Sequence, residues 1–291
     1  MLRGIYNSAS GMIANQRRSE ALTNNLANSQ STGYKADEAV FRSFPEYLIS
    51  AVQSNRSPLP PNAPVMGQQK LPLGKLPQGV YTHEMIPDFK QGDLQETGSP
   101  FDLAIMDDHL PSTEQNGRLV QSRLFFAVQK NGETFYTRNG NFTIDALNQL
   151  VSADGSLMLD SEGKTITLAN DRFLIDERGY LYDEFGQAIQ STPNDPNEQP
   201  YPIQLQVVQV DNPYNLIKTE NGAFRWQGQE APASAGELVR LKQGFVERSN
   251  VNVQQTIVDL TQTARSFESN QKVLSAYNQT LERLFESSRL S

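Results

Sequence analysis

The sequence has no cysteine, one tryptophan and only two histidines among its 291 residues. Without thiols it forms neither disulfides nor thiolate metal sites. The usual pairs of nucleophile and general base are scarce, and the sequence has no nucleophile elbow, phosphate-binding loop or dinucleotide fingerprint. We therefore expect a protein that is not an enzyme, with no catalytic residues, no metal site, no cofactor and no small-molecule substrate.

An excess of positive charge and long apolar runs are missing as well. The formal net charge is −8 and the sequence has no basic run, so nucleic acid and anionic membranes are poor partners. No segment is long and apolar enough to insert into a membrane, and the N-terminus, MLRGIYNSASGM, lacks the apolar core of a signal peptide. Ordinary rules thus predict a cytoplasmic protein, but a dedicated secretion machine that reads an uncleaved N-terminus would leave no such mark.

A few acidic residues and histidines have side chains suited to metal binding, but their arrangement argues against it. The side chains of Asp107, Asp108 and His109 alternate in direction on an extended chain, and His83 stands alone. A further acidic group lacks the D-x-D-x-D-G spacing of calcium loops and is equally typical of β-turns. Its members are Asp171, Asp176, Glu177, Asp183 and Glu184.

The clearest pattern is a run over residues 251–288 without glycine or proline, in which apolar residues recur at alternating steps of three and four. It predicts one amphipathic helix of roughly 55 Å, at about 1.5 Å per residue, with Ser249 or Asn250 as N-cap. Polar seam residues Gln271 and Asn278 favour a helix interface over an ordinary core helix, because buried amides fix register. The two seam rows are Ile257, Ala264, Gln271, Asn278, Phe285 and Leu260, Phe267, Leu274, Leu281, Ser288, with Val273, Tyr277 and Leu284 on their flanks.

A second amphipathic helix with similar spacing is predicted at the N-terminus. It ends in a polar stretch where Gly33 can take a positive φ. Because each stripe must be buried to offset the ordering entropy, we expect the two ends to pair as a coiled-coil-like module of residues 1–35 and 249–291. The repeating residues of this helix are Leu2, Ile5, Ala9, Met12, Ser19 and Leu26.

The stretch after the first helix, residues 36–100, is rich in proline, above all at 57–64 and 71–77. This density favours extended backbone over helix or central strand. Two interpretations stay open, a flexible linker or an extended arm that orders against a neighbour.

Residues 101–230 carry the turn and strand signals of an antiparallel β domain, followed by a return segment at 231–248. Within this domain one set of residues recurs after 31 positions, which predicts a duplicated hairpin. The pairs are Phe142 and Phe173, Ile144 and Ile175, Asp145 and Asp176, Leu150 and Leu181, and Gly155 and Gly186. The fold class expected for the whole chain is therefore α+β.

Three parts of the chain resemble the bacterial flagellar basal-body rod and hook protein family. Residues 24–35, NNLANSQSTGYK, are similar to its N-terminal signature, and residues 241–252, LKQGFVERSNVN, are similar to its C-terminal signature. Segments within residues 91–140 resemble the central β domain of its distal rod and hook group, apart from an insertion at 106–124 where the family turns tightly. The signature positions are Asn24, Asn25, Asn28, Gly33, Tyr34, Lys35, Gln243, Gly244, Ser249 and Asn250.

The resemblance implies a structural, non-enzymatic axial subunit, most like a distal rod protein, that transmits torque through helical assembly. A proximal rod or hook-type paralogue is the alternative. The implied partners are further copies of itself, other rod and hook subunits and the flagellar type III export apparatus, and the implied location is the basal body, reached without a cleaved signal peptide. The expected assembly residues are Ile5, Met12, Leu26, Ile257, Leu260, Phe267, Leu274, Leu281 and Phe285.

A function of another class also stays open from the residues, namely a secreted protein that binds or cleaves cell-wall glycan and uses the helices as a stalk. Exposed aromatic rings beside carboxylates would favour this alternative. Trp226 is the only tryptophan, which argues against it.

Overall fold

The computed structural model describes residues 2–44, 47–52, 70–76, 79–107, 110–115, 118–168, 172–191, 199–219, 222–228 and 231–289. The fold is α+β, with a helix at each terminus and antiparallel strands between them. The chain divides into two compact units. Unit 1 comprises Met1–Thr23, Glu38–Met85 and Gln255–Ser291, and unit 2 comprises Asn24–Asp37 and Ile86–Gln254. Residues 24–37 thus belong with the β domain, whereas the sequence analysis grouped most of them with the helices.

Unit 1 contains two long helices and four strands. The strands occupy described parts of the proline-rich stretch, and Pro72 lies in a strand that pairs on one side within the described residues, where its missing N–H is tolerated. Residues 53–69, which include the densest proline run, lie outside the described residues. The elements are α1 (Leu2–Ala27, whose last turn belongs to unit 2), β1 (Asp37–Ser43), β2 (Tyr47–Val52), β3 (Lys70–Leu76), β4 (Val80–Pro87) and α2 (Val253–Arg289), with β1 paired to β4 and β2 to β3.

Unit 2 is formed by short strands, as the density of turn signals predicts. They are β5 (Leu94–Glu96), β6 (Leu103–Ile105), β7 (Ser112–Gln115), β8 (Arg118–Gln121), β9 (Arg123–Lys130), β10 (Glu133–Thr137), β11 (Phe142–Ile144), β12 (Leu150–Ser152), β13 (Leu157–Met158), β14 (Phe173–Ile175), β15 (Leu181–Asp183), β16 (Val207–Val210), β17 (Leu216–Lys218), β18 (Phe224–Trp226), β19 (Ala233–Ser234), β20 (Leu241–Gln243) and β21 (Phe245–Glu247). Two 3-10 turns lie at Pro213–Asn215 and Gly236–Leu238.

The core of unit 2 surrounds β9, the central strand of a nine-stranded sheet. Its side chains alternate between two apolar clusters, with Phe126 and Val128 in one and Phe125 and Ala127 in the other, and all four are at most 1% exposed. The turn from β9 to β10 is made by Asn131 and Gly132, both at positive φ, as an Asn-Gly pair between two strands predicts.

The predicted duplication is confirmed, and it is larger than the sequence pattern indicates. Pairing of β11 with β12 joins Phe142 to Ser152, and pairing of β14 with β15 joins Phe173 to Asp183, with both partners shifted by 31 positions. Each copy continues into a third and a fourth segment. The bridges Val151 to Leu157 and Leu159 to Thr165 in the first copy match Tyr182 to Ala188 and Gln190 to Pro202 in the second.

The matching hydrogen bonds extend the repeat to residues 142–168, copy 1, and 173–205, copy 2. The Leu168 N–H donates to the Asn148 carbonyl in copy 1, and the Leu205 N–H donates to the Gly179 carbonyl in copy 2. Copy 2 is longer because more residues separate its last two paired segments, as the bridges Leu159 to Thr165 and Gln190 to Pro202 show. The sequence signal faded there because the offset changes within the repeat.

Candidate assembly surfaces

The two helices of unit 1 lie against each other in antiparallel orientation. A Cβ atom on Gly4 would lie 2.4 Å from the hydroxyl oxygen of Tyr277, and one on Gly11 would lie 2.9 Å from the amide nitrogen of Asn270. The two glycines therefore leave the space that larger residues of α2 fill. The order of these contacts along each helix fixes the antiparallel direction.

The row of α2 that faces α1 is shifted by one residue from the first predicted row. Thr256 and Thr263 are buried, and Asn270 and Tyr277 are partly buried. Small residues of α1 leave space for the polar and aromatic side chains of this row. A search for regularly spaced apolar residues does not find such a row. The prediction that Gln271 and Asn278 are buried amides is wrong in the folded chain, because every member of the first predicted row is exposed. These members are Ile257, Ala264, Gln271, Asn278 and Phe285.

The second predicted row is closer to the observed contact, since Leu260, Phe267, Leu274 and Leu281 are partly buried and only Ser288 is exposed. The N-terminal members of the predicted assembly set, Ile5, Met12 and Leu26, are also partly buried.

The C-terminal end of α2 carries apolar side chains that no helix within the described residues covers. Because Gly4 lies opposite Tyr277, about three turns of α2 extend beyond the first turn of α1. In this region Leu284 is 48% exposed and Phe285 is 69% exposed. An open apolar groove of about 600 Å³ runs along this part of the helix, lined by Val273, Ala276, Tyr277, Thr280, Arg283 and Leu284.

Other large apolar side chains on the two helices are exposed as well. We refer to the complete set as the exposed apolar set, which comprises Tyr6, Ile13, Val253, Ile257, Val258, Val273, Leu284 and Phe285. So many exposed apolar side chains on two helices are typical of an interaction surface.

A buried charge cluster lies in unit 2, where both signature segments meet the β domain. Lys35 Nζ lies 2.5 Å from Glu247 Oε1, and Arg138 Nη1 lies 3.2 Å from Glu247 Oε2. Arg138 Nη2 lies 2.5 Å from Asp107 Oδ2, which also contacts Arg123 Nη1 at 3.0 Å. The five residues come from distant parts of the chain, so the cluster connects the N-terminal signature, the C-terminal signature and the β domain.

The electrostatics of this cluster are unbalanced, with three cations facing two carboxylates. Lys35, Arg138 and Glu247 are at most 2% exposed. Burial, together with the nearby Arg138 and against the opposing effect of Glu247, lowers the pKa of Lys35 from 10.5 to about 8. Lys35 also donates a hydrogen bond to the Lys90 carbonyl.

We expect the stability of unit 2 to rise with pH between about 8 and 9.5. In this range the unfolded chain keeps the Lys35 proton while the folded chain releases it, so the free energy of unfolding increases, by roughly 1 to 2 kcal/mol for this pKa shift. The lowered pKa of Lys218 adds to the rise, whereas the raised pKa of Tyr34 opposes it only near pH 10 and above. Urea unfolding followed by fluorescence of Trp226 measures the slope. Lys35→Met should remove most of it, and an equal slope in that variant would contradict the assignment.

The N-terminal signature residues hold the chain where α1 ends. The side-chain oxygen of Asn25 accepts hydrogen bonds from the Asp37 N–H and the Tyr34 hydroxyl, and its amide donates to the Asp37 carbonyl. Gly33 has a φ of 67° and donates its N–H to the Glu247 carbonyl at 2.7 Å. In the last turn of the helix the Asn28 amide donates to the Asn24 side chain and carbonyl.

The C-terminal signature residues hold the returning chain in the same way. The Gln243 amide donates to the Pro100 and Phe173 carbonyls, and the Gly244 carbonyl accepts the N–H groups of Thr97 and Gly98. These contacts fix the strand that leads to Glu247.

The predicted helix caps have other roles. Because α2 begins at Val253, the prediction of Ser249 or Asn250 as its N-cap is wrong. The Asn250 side chain accepts a hydrogen bond from the Ala36 N–H and donates to the Asp88 carbonyl. The Ser249 hydroxyl accepts the Val251 N–H.

The sequence analysis identified the signature positions but missed their buried partners. Arg138 and Glu247 lie inside the segments that carry the resemblance, yet nothing in their spacing indicated that they meet. A usable signal was the charged Glu247 directly after Val246 in a strand, because a charge in an otherwise apolar strand needs a partner when it is buried.

The residues considered for metal binding have other contacts where they are described. Asp107 is held by two arginines, and His83 is exposed. Asp183 accepts the Phe185 N–H and thereby closes its own turn. Within the described ranges no three His, Asp or Glu side chains are arranged to hold a metal ion, and the remaining candidates Asp108, His109 and Asp171 lie outside those ranges.

Two aromatic residues of unit 2 bear on glycan binding, and they differ in exposure. Trp226 is partly buried and packs against the second apolar cluster. Tyr214 is 62% exposed, with its ring edge against Phe89.

No described helix combines the length and apolar composition needed to cross a membrane.

Comparisons with known proteins agree with both ends and the middle of the chain. Residues 5–35 match the model described as "Flagella basal body rod protein", residues 119–180 match "Flagellar hook protein FlgE/F/G D1 domain", and residues 242–286 match "Flagellar basal body rod FlgEFG protein C-terminal".

Full-length relatives give the same result. The chain is 33% identical to the flagellar hook-basal body complex protein FlhO of Bacillus subtilis, over 97% of each chain. It is 28% identical to the flagellar basal-body rod protein FlgG of Borreliella burgdorferi, over 94% of each chain, and 26% identical to FlgG of Bacillus subtilis, over 98% of each chain. The chain therefore belongs to the family of flagellar basal-body rod and hook proteins, which are structural subunits of the flagellum.

Proposed function

We propose that the chain is an axial subunit of the distal rod that assembles through its terminal helices with copies of itself and with other rod and hook subunits. The observation that carries this proposal is the exposed apolar set on α1 and α2, including the uncovered end of α2 around Phe285. Burial of exposed apolar side chains of this size against a neighbouring subunit removes them from water and thereby stabilises the assembly.

A position in the rod is supported by the agreement in length with relatives named as basal-body rod proteins, since the alignment with FlgG of Bacillus subtilis leaves almost no residue of either chain uncovered. The distal position rests on the resemblance of segments within residues 91–140 to the distal rod and hook group. A proximal rod or hook-type paralogue is the alternative position. It shares the same helices and would differ in its neighbours.

Torque transmission follows from the geometry of a long helix. The 37 residues of α2 extend over roughly 55 Å, so a contact along its length divides a shear load among many side chains. Contacts of one helix with a different surface of the next subunit generate a helical filament when successive subunits are related by a rotation that does not close into a ring.

The route to this location is also part of the proposal. An axial subunit lies beyond the cytoplasmic membrane, and we propose export by the flagellar type III apparatus without cleavage of a signal peptide. This part of the proposal rests on the family to which the chain belongs.

The test is a single charge in the exposed apolar set. Phe285→Asp should reduce incorporation into isolated basal bodies more than tenfold, because an unpaired carboxylate would be buried against a neighbour. The matched control is Gln279→Asp, which adds the same charge at another exposed position of α2 and should incorporate normally.

Trp226 fluorescence of the purified Phe285→Asp chain should equal that of the wild type, because the substitution lies outside unit 2. Normal incorporation of this variant, or equal loss in the Gln279→Asp control, would contradict assembly through this surface.

A further inference from the structure

The internal duplication shows what can pair with the edge of a copy. In copy 1 the third segment pairs with the central strand β9, with Leu157 opposite Gln129 and Met158 opposite Val128. Met158 is 0% exposed and Leu159 is 3% exposed as a result. This edge of the repeated unit is therefore built to accept another strand.

The equivalent edge of copy 2 has no such strand. Residues 188–190 correspond to 157–159, and Ala188 pairs with Tyr182 on the inner side. On the outer side no partner strand is found among the described residues, and Ala188 and Gln190 are exposed.

An apolar surface accompanies this open edge. Leu174 is opposite Tyr182 in β14 and β15, and Ala188 is opposite Tyr182 on the other side, so the three side chains share one face. Leu174 is 57% exposed, and Phe185 in the adjoining turn is 79% exposed. An open edge beside exposed apolar side chains has the features of a site for strand addition.

The inserted segment 106–124 supplies a segment of matching shape. Its strands β7 and β8 form a two-stranded sheet of their own, and within the described residues neither outer edge is paired. Leu119 in β8 is 79% exposed. A hairpin of two strands is marginally stable alone, so it gains most from a third strand.

We propose that β8 of one subunit pairs with the open edge at residues 188–190 of a second copy of this chain, with Leu119 covering Leu174 and Phe185. The contact joins two different surfaces, so each subunit keeps one free surface of each kind and the contact can repeat from subunit to subunit. It rests on the proposed function, to which it adds a second contact between neighbouring β units.

Site-specific cross-linking tests this contact, because the chain has no cysteine of its own. Cells would express two differently tagged full-length chains, one with Leu119→Cys and one with Ala188→Cys. Isolated basal bodies would then be treated with a short bifunctional maleimide. The control pair replaces Ala188→Cys with Ala153→Cys, which lies in the exposed turn of copy 1.

The expected result is a cross-linked dimer of the two tags that is at least tenfold more abundant for the 119 and 188 pair than for the control pair. It should be absent from the unassembled chains at the same concentration. Equal yields for both pairs, or no 119 to 188 product in basal bodies that contain both chains, would overturn the proposal. Cross-linking of Ala188→Cys to itself alone would also overturn it, because the edge would then pair with its own copy.

The proposed function can fail separately. If the chain is not a subunit of the basal body, the wild-type chain is itself absent from isolated basal bodies, and if it is a subunit that does not assemble through its helices, Phe285→Asp incorporates normally. Should the cysteine chains alone be excluded, Leu119→Ser and Ala188→Ser decide the matter. Normal incorporation of both serine variants with no loss of rod stability in acid overturns the proposal, and a severalfold faster dissociation supports it.

Discussion

Replacement of Glu247 by alanine is expected to lower the free energy of unfolding of unit 2 by about 3 to 5 kcal/mol. The carboxylate contacts Lys35 and Arg138, and all three are almost completely buried. Its removal leaves two buried cations with one fewer counter-charge, and breaking a buried pair from one side has a cost of this size. Urea unfolding monitored by Trp226 measures the effect, because the only tryptophan lies in unit 2.

Two controls separate the loss of charge pairing from the loss of a carboxylate as such. Glu237 is exposed, and Glu237→Ala should change the free energy of unfolding by less than about 0.5 kcal/mol. The double variant with Lys35→Met and Glu247→Leu should recover part of the stability, since apolar residues of similar volume can replace a buried pair. If Glu247→Ala lowers the free energy of unfolding by less than about 1 kcal/mol, the prediction that the two buried cations depend on this carboxylate is contradicted.

Replacement of Gly33 by alanine is expected to destabilise unit 2 by about 2 to 4 kcal/mol. Two effects add, namely the positive φ of 67°, which costs about 1 kcal/mol for a residue with a Cβ, and overpacking of a tight site. A Cβ atom at this position would lie 2.4 Å from the backbone of Arg138, which carries part of the charge cluster.

The matched control for the backbone effect is Gly132→Ala. Gly132 has a φ of 82° but no atom within 4 Å of a Cβ, so only the cost of the backbone conformation, about 1 kcal/mol, is expected. Equal unfolding midpoints for the two variants would mean that the close approach to Arg138 carries no stability.

Much of the fold could be predicted from local pattern. Helix α2 has a local cause, because its 37 residues include no glycine or proline. The turn at Asn131 has one as well, because an Asn-Gly pair favours it. Such signals are readable from one sequence. The duplicated hairpin was also readable, because its repeated residues keep one offset until the last loop of copy 2.

The features that local pattern missed depend on contacts between distant segments. The seam of α2 runs through Asn270 and Tyr277 because α1 presents glycine opposite both residues, which no spacing rule within α2 reveals. The meeting of Arg138 with Glu247 depends on the fold of the whole of unit 2. The signature residues were found by resemblance. Only the structure shows that Asn250 hydrogen-bonds to two distant segments, at Ala36 and Asp88, and does not cap a helix.

The pairing of Lys35 with Glu247 has a consequence for the timing of folding. The two residues are 212 positions apart. In the same way β5 pairs with β21 and β6 pairs with β20, so both early strands have partners near the end of the chain. Closing so long a loop is entropically unfavourable until the returning strands exist, so contacts of this kind form late and slowly. Unit 2 therefore reaches its final fold only after nearly the whole chain has been synthesised, which leaves the growing polypeptide without its completed core throughout translation.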